Sequence, residues 1–444
     1  MPYKAGKRLP AERASRIGHL DVLTSGLVKN YRENFKDASP DAASIHSTWL
    51  PMPTGGQPLP LIFGVDGSFQ IIESESPPHS AHAFVKTALL RIDQYALASV
   101  DRDSPHPLAL RDVLADSALY HATAFPLRHV VRPGMSLYDA IRQRIFESVV
   151  EDPTSELHHE VMDTLKWLAY EKWDGKQKNI PPFQCPHCEG DTTLPFDAEE
   201  GECSRCKGHL FLTDMLGFHQ VMAPDAAPDI VVTDYMGVHE TLLLFTGVRY
   251  FWERNKTLLS NCLFAKDGPL SIRAQYSKLV NPIRRFLAFA KNHGCPVHVI
   301  GQEKTGFFAD HLELIGSNAP VQSLFIPNDK YIKEQIQHRP DRGMPYGHDT
   351  NYGAKIFVRI SQFHQSALNI PTGTGQHVKD PKLADLIGAE RIFATLPSIL
   401  SSRFEGALLP IELAHGVASL STYPSARILK IFAEAKGPQG ATSG

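Results

Sequence analysis

A chain of 444 residues has room for one large domain with an insertion, or for two or three modest ones, and its hydrophobic fraction of 42% is that of an ordinary globular protein. The formal charge of −3 excludes a globally basic nucleic-acid binder, so any basic binding surface has to be local. No stretch approaches the roughly 20 apolar residues that span a bilayer, and the start lacks a signal-peptide core, so the expectation is a cytoplasmic protein with no membrane partner.

Residues 1–55 form a basic N-terminal segment, with Lys4, Lys7, Arg8, Arg13 and Arg16 as a local patch that also reads as a solvated face. The main domain follows in two parts, 56–180 and 213–436, around an insertion at 181–212, and residues 437–444 are a flexible tail. In the first part, the apolar run Leu61-Ile62-Phe63-Gly64-Val65 ends on Asp66, followed by Gly67 and Ser68. A strand that stops on an acid and turns on glycine lifts a carboxylate onto the sheet rim, where it suits a hard cation. Asp-Gly is also the commonest turn dipeptide, which is the plainer reading of one instance. Phe69–Ile72 reads as a hairpin partner, and residues 83–100 fit either a strand pair or a helix. From Ser136 to Tyr170 the spacing of Leu137, Ile141, Ile145, Val149, Leu157, Val161, Leu165 and Leu168 predicts helix.

The insertion carries Cys185, Cys188, Cys203 and Cys206, two Cys-x-x-Cys knuckles that suit one tetrahedral zinc ion. Its other residues are too polar for a core of their own, so the metal is expected to hold it together. Four thiolates leave no position for a reacting water, which makes the zinc structural and excludes a hydrolase built on the ribbon. Cys262 and Cys295, in apolar runs, read as packed thiols.

After the ribbon, Leu212–Gln220 and Val232–Glu240 nearly repeat each other, and each Thr-Asp suits a helix entry. The second leads into a predicted helix at 238–254. The next strand, Cys262-Leu263-Phe264-Ala265-Lys266, ends on Asp267 and turns on Gly268. If the helix runs antiparallel to that strand, its rise of about 1.5 Å per residue against about 3.3 Å favours Glu240 over Glu253 as a third carboxylate near Asp267. A solvated Glu in a first helical turn is the bland alternative. A further strand, Val297–Gly301, delivers Lys304 to the same rim, or else to an ordinary Gly-bounded turn. Arg284-Arg285 and Arg339 with Arg342 are further basic pairs, and the loop from Asn328 to Tyr352 is either a contact insertion or a surface loop. His415 lies in the apolar start of a helix at 408–416, where a lone histidine is more often a core residue than a catalyst.

In their order, Asp66-Gly67-Ser68, the Leu263–Leu270 segment, the strand leading to Lys304-Thr305-Gly306 and Ala414-His415 resemble the NurA nuclease family, in discontinuous pieces over roughly residues 55–420. The resemblance implies an α/β, RNase H-like mixed sheet flanked by helices, here with an inserted four-cysteine zinc ribbon that simple members lack. It implies a homodimer that processes DNA ends with a HerA-type hexameric ATPase, in repair or in defence against invading DNA. Asp66 and Asp267 then become acids for Mn²⁺ or Mg²⁺, with Glu240 (or Glu253) as the intervening glutamate and His415 as the late active-site histidine. The implied chemistry is two-metal phosphodiester hydrolysis, with Lys304 beside the scissile phosphate. The family's aromatic active-site residue has no counterpart placed in this sequence. Two rival readings share the fold: a non-catalytic DNA-binding or assembly subunit, and an RNA-cleaving enzyme.

Overall fold

Consecutive apolar residues in Leu61–Val65 and Cys262–Ala265 call for strands covered on both faces. A computed structural model of the protein sets the two strands side by side within one large mixed sheet. The structure describes residues 22–35, 48–74, 77, 79–93, 118–222, 229–272, 277–401, 403–404, 406–420 and 425–434. The basic patch from Lys4 to Arg16 and the tail at 437–444 lie outside the described residues. The chain divides into two units, Met1–His46 and Ser47–Gly444. In the first, α1 (Gly26–Asn34) leaves Leu27 and Tyr31 exposed, and the Tyr31 ring stacks on Phe35 at 4.5 Å.

The second unit begins with β1 (Leu50–Pro51), β2 (Leu61–Glu73), β3 (Ala81–Asp93) and β4 (Ala118–Arg128). Helices α2 (Leu137–Val150) and α3 (Glu160–Ala169) precede the short ribbon strands β5 (Phe183–Gln184), β6 (Asp191–Thr192), β7 (Glu200–Glu202) and β8 (His209–Phe211). Then come α4 (Ile230–Arg254), β9 (Cys262–Asp267), α5 (Val280–Asn292), β10 (His298–Glu303), α6 (Phe307–Gly316), β11 (Ser323–Phe325), β12 (Ala354–Arg359) and β13 (Gln365–Ile370). Helices α7 (Ala389–Thr395), α8 (Leu409–Ala418) and α9 (Ser425–Glu434) follow. The sheet order is β1-β11-β12-β13-β10-β9-β2-β3-β4. An antiparallel meander, β2 to β4, is joined through β2 to the parallel strands β9 and β10, the RNase H-like order, and β13, β12, β11 and β1 extend it with antiparallel pairs.

Alternation along the strands sends Phe63, Val65 and Phe264 into a core under α2 to α5, while Ile62, Leu263, Ala265 and Ile300 enter a second core under α7 and α8. Among the described residues no helix is long and apolar enough to cross a membrane.

Several local expectations are corrected. β2 does not stop at Asp66; it runs on to Glu73, so Phe69–Ile72 belongs to the same strand and pairs with β3. The ambiguous segment after residue 83 is strand up to Asp93. The predicted helix from 136 is two helices, broken at Glu151, whose φ is +69°, and at Pro153. The two Thr-Asp copies are not a structural repeat. Thr233 and Asp234 lie inside α4, which starts at Ile230, whereas Asp214 lies in a short 3₁₀ turn, Leu212–Leu216.

That difference follows from Asp214's partner. Its carboxylate accepts from Arg142 Nε at 2.9 Å and Nη2 at 2.8 Å, with both side chains buried, and Arg142 Nη2 also donates to the His209 carbonyl at 3.0 Å. The pair ties the ribbon to α2. The ribbon also shares the α4-side core through Phe183, Leu194 and Leu210, so it borrows the core it cannot make alone.

A buried polar network lies behind the sheet. His121 Nε2 contacts Tyr235 Oη at 3.0 Å, Tyr235 donates to Ser148 Oγ at 2.9 Å, His121 pairs with Glu151, and the His121 and His239 rings stack at 4.1 Å. Burial pushes His298, fully enclosed, down to about 4. The unfolded chain therefore takes up a proton near pH 6.5 that the native state refuses until about pH 4. Stability from this group is complete above pH 6.5 and is lost as pH falls through that window, by up to about 3 kcal/mol. We expect the melting temperature to fall less between pH 6.5 and 4 in His298→Gln than in the wild type. Equal pH dependence of the two thermal melts contradicts neutral burial.

Candidate active site

The rim is made where β9 ends. Pairing of β2 with β9 runs from Leu61 to Val65 and finishes at Val65 opposite Lys266, so Asp66 stands just past the last rung although its own strand continues. Asp267 closes β9, and Gly268, with φ at +77°, makes the turn while its amide donates to the Gln302 carbonyl at 2.7 Å. By alternation Asp66 and Asp267 share the face covered by α8.

The helix reaches that face because of a glycine. A Cβ on Gly64 would stand 2.1 Å from the Pro410 carbonyl oxygen, so only glycine lets the start of α8 rest on the β2 backbone. One and a half turns later His415 Nδ1 meets Asp66 Oδ2 at 2.7 Å. Asp66 Oδ1 accepts from the Gly67 amide at 2.8 Å. His415 is not a core histidine: its side chain is 58% exposed, while Asp66 is buried. Lys304, directly after β10, lies at the rim with Nζ 2.9 Å from Asp267 Oδ1.

The other face of the rim belongs to α4. This helix runs antiparallel to β9, with Glu240 beside Lys266 and Gly247 beside Phe264. Glu240 Oε2 accepts from Lys266 Nζ at 2.5 Å, both side chains are buried, and Lys266 also donates to the Asp267 carbonyl at 2.8 Å. Gly67 is needed here for contact rather than for a turn, since a Cβ would stand 2.6 Å from Glu240 Oε1 and 2.7 Å from Met236 Cγ. Glu253 lies at the far end of α4, partly exposed, 3.6 Å from Arg249.

Burial drives the electrostatics. Desolvation, reinforced by Asp267 and Glu240 and opposed by His415, pushes Asp66 up to about 7. Burial also raises Glu240, against the pull of Lys266; the ammonium of Lys266 is disfavoured by burial, but Glu240, with Tyr352 and Asp267, outweighs this and holds its pKa above the ordinary lysine value. Beside the rim opens a cleft of about 590 Å³ lined by Asp267, Lys304, His415, Glu412, Leu312 and Phe404.

Sequence reasoning gave no role to Lys266, Gly64 or Phe404. Lys266 was detectable as a lone cation inside an apolar strand, one residue from an acid and hence on the opposite face. Arg284 is not part of a basic surface: it is buried and donates to the carbonyls of His348 at 2.8 Å and Gly347 at 3.2 Å, which orders the loop after Asn328. Arg285 pairs with Glu171.

The ribbon's four cysteines converge. Cys185 Sγ is 3.7 Å from Cys206 Sγ, and Cys188 Sγ is 3.9 Å from Cys203 Sγ. Among the described residues they are the only set of three or more Cys, His, Asp or Glu whose ligand atoms all lie within 4.8 Å of one another. The two knuckles match: the Gly190 and Gly208 carbonyls accept from the amides of Cys185 and Cys203, each at 2.9 Å. Each glycine is roofed by the other knuckle, Arg205 over Gly190 and His187 over Gly208, and at Gly208 a Cβ would stand 2.3 Å from the imidazole. A preformed four-thiolate set of this kind fits zinc.

No family model matches the sequence, and no curated protein does either. Among solved structures, the chain is similar to one described as NurA with manganese, at 11% identity over 95% of this chain and 98% of that one, with a TM-score of 0.26. A second NurA structure matches at 12% identity over 94% and 97% with a TM-score of 0.26. NurA bound to dAMP and manganese matches at 14% identity over 95% and 97% with a TM-score of 0.25. Likeness at this level leaves the chemistry to be argued from the side chains of this chain.

Proposed function

We propose that the protein is a metal-dependent deoxyribonuclease that hydrolyses phosphodiester bonds in DNA. The observation that carries this reading is the buried Asp66, clamped by His415 on the same face of the sheet rim as Asp267. Carboxylate oxygens suit Mn²⁺ or Mg²⁺, and an acid pushed up to about 7 by burial, with Asp267 and Glu240 adding to it, is a site whose charge a divalent cation would compensate. Asp66 and Asp267 would hold the ion, which supplies an activated water and stabilises the leaving oxygen. His415 fixes the Asp66 rotamer through Oδ2, and Lys304, on Asp267, offers an ammonium to a phosphate entering the cleft. The four-cysteine ribbon would hold zinc in a purely structural role. We extend the reading to DNA ends, to a homodimer and to a HerA-type ATPase on the motif resemblance.

The test is cleavage of end-labelled linear DNA by the purified protein with Mn²⁺, Mg²⁺ or chelator, alone and with a HerA-type translocase, beside a matched RNA. Cleavage of DNA that stops with chelator is the expected result. Inactivity in every combination would favour a binding or assembly subunit.

A further inference from the structure

We propose that Lys266 is a built-in cation of the rim, a positioning residue that holds Glu240 on the α4 side and restricts the Asp66–Asp267 pair to one divalent ion per chain. The inference rests on the metal-dependent reading above and deepens it.

Alternation fixes the sides. Val65 and Lys266 are register partners in parallel strands and point under α4, so Asp66 and Asp267, each one residue on, point under α8. Glu240 comes from α4 and is therefore on the side of Lys266, across the rim from the acid pair. One of its oxygens is engaged and the other faces Gly67. Oε2 takes the Lys266 ammonium at 2.5 Å, and Oε1 lies against Gly67, so close that a Cβ there would stand 2.6 Å away. The Glu240 and Lys266 side chains are each 5% exposed, so water screens neither. Lys266 is anchored a second time, on the Asp267 carbonyl at 2.8 Å. It cannot swing away without leaving both a buried carboxylate and the strand end unpartnered.

The charge count follows from these contacts. Glu240 already has Lys266, and Asp267 already has Lys304 at 2.9 Å. The carboxylate without a resident lysine is Asp66. The three acids and two lysines leave one negative charge, which one divalent ion at Asp66 and Asp267 turns into one positive charge, and a second ion would raise it to three. A second one beside Glu240 would sit next to an ammonium in a water-poor site, where like charges repel strongly.

The experiment is calorimetric titration of MnCl₂ into the zinc-loaded full-length protein, with the paramagnetic resonance of free Mn²⁺ as a second readout. One Mn²⁺ per chain is expected for the wild type and none for Asp66→Asn. Glu240→Gln should weaken binding by no more than about tenfold, the low end for a partner outside the ligand shell. Lys266→Arg should keep one ion, whereas Lys266→Met should free Glu240 and admit a second. Should Lys266→Met not fold, the double variant Lys266→Met/Glu240→Gln removes both charges together and should keep one ion. Two ions in the wild type, or a loss in Glu240→Gln as large as in Asp66→Asn, would overturn the proposal. Binding of no Mn²⁺ by the wild type would overturn the metal-dependent reading itself, and this inference with it.

Discussion

Replacing Asp66 by asparagine is expected to abolish metal-dependent DNA cleavage, by at least about 10³-fold, while making the metal-free protein more stable. The two effects have one cause. Asp66 is buried beside two other carboxylates, and its pKa is raised from 3.8 to about 7, so in the absence of a cation its charged form is disfavoured. A raised native pKa means that the native state binds the proton more tightly than the unfolded chain. The associated stability is complete below pH 3.8 and is lost as pH rises through 7. Above that the ionised carboxylate destabilises the fold, and a neutral amide of the same shape does not. The gain for Asp66→Asn should be about 1–3 kcal/mol above pH 7, after allowing for the weakened contact to His415, and should vanish below about pH 4. Thermal melts in chelator across this range check it. A variant that loses activity and also loses stability at pH 8 would make Asp66 an ordinary core residue, and one that keeps activity would sink the nuclease reading.

How far this site is legible in the sequence depends on the range of the forces that made each part. The strand runs ending at Val65 and Ala265 are plain because burial on both faces writes continuous apolar residues. Lys304 follows from its place just past the β10 strand, and Glu240 in the facing half of α4 from rise per residue once the helix is taken as antiparallel to β9. The Gly67 error is instructive. Asp-Gly reads locally as a turn, yet β2 continues and the glycine exists for Glu240 and Met236, 169 or more residues away. Gly64 likewise answers to Pro410. Without the motif resemblance His415 has the bland reading of a core residue, because Ile411 and Ala414 beside it are apolar, but its side chain faces the rim, beyond the core that those residues enter. Arg284 and Arg285 read as a basic surface, but one orders a loop and the other pairs with Glu171, because adjacent cations on a helix face different partners.

Cys188→Ser is expected to have the largest effect on stability, and its reach should extend beyond the ribbon. The direct loss is one of four thiolates in a set already gathered within 4.8 Å, which should abolish tight zinc binding. Were the ribbon a loose appendage, the rest of the chain would melt unchanged. It is not loose: Phe183, Leu194 and Leu210 belong to the core that also contains Phe63, Val65 and Phe264. Arg142 depends on it as well. Its guanidinium is 4% exposed and is held by Asp214 and the His209 carbonyl, both fixed by the second knuckle and the turn after it, and by Asp139 on α2 itself at 2.9 Å. If the knuckles come apart, α2 is left with a buried cation that keeps only the half-exposed Asp139, a loss that approaches the cost of a broken buried pair, about 3–5 kcal/mol, once the shared apolar core is also disturbed. We therefore expect Cys188→Ser to lose its zinc and to lower the melting transition of the whole Ser47–Gly444 unit by more than about 3 kcal/mol. Arg142→Met combined with Asp214→Leu, which removes the buried charges together, should make the remaining loss smaller. Full zinc content with an unchanged melt in Cys188→Ser would refute the structural zinc. Loss of zinc with an unchanged melt would show that the Arg142 pair and the shared apolar core hold the ribbon without it.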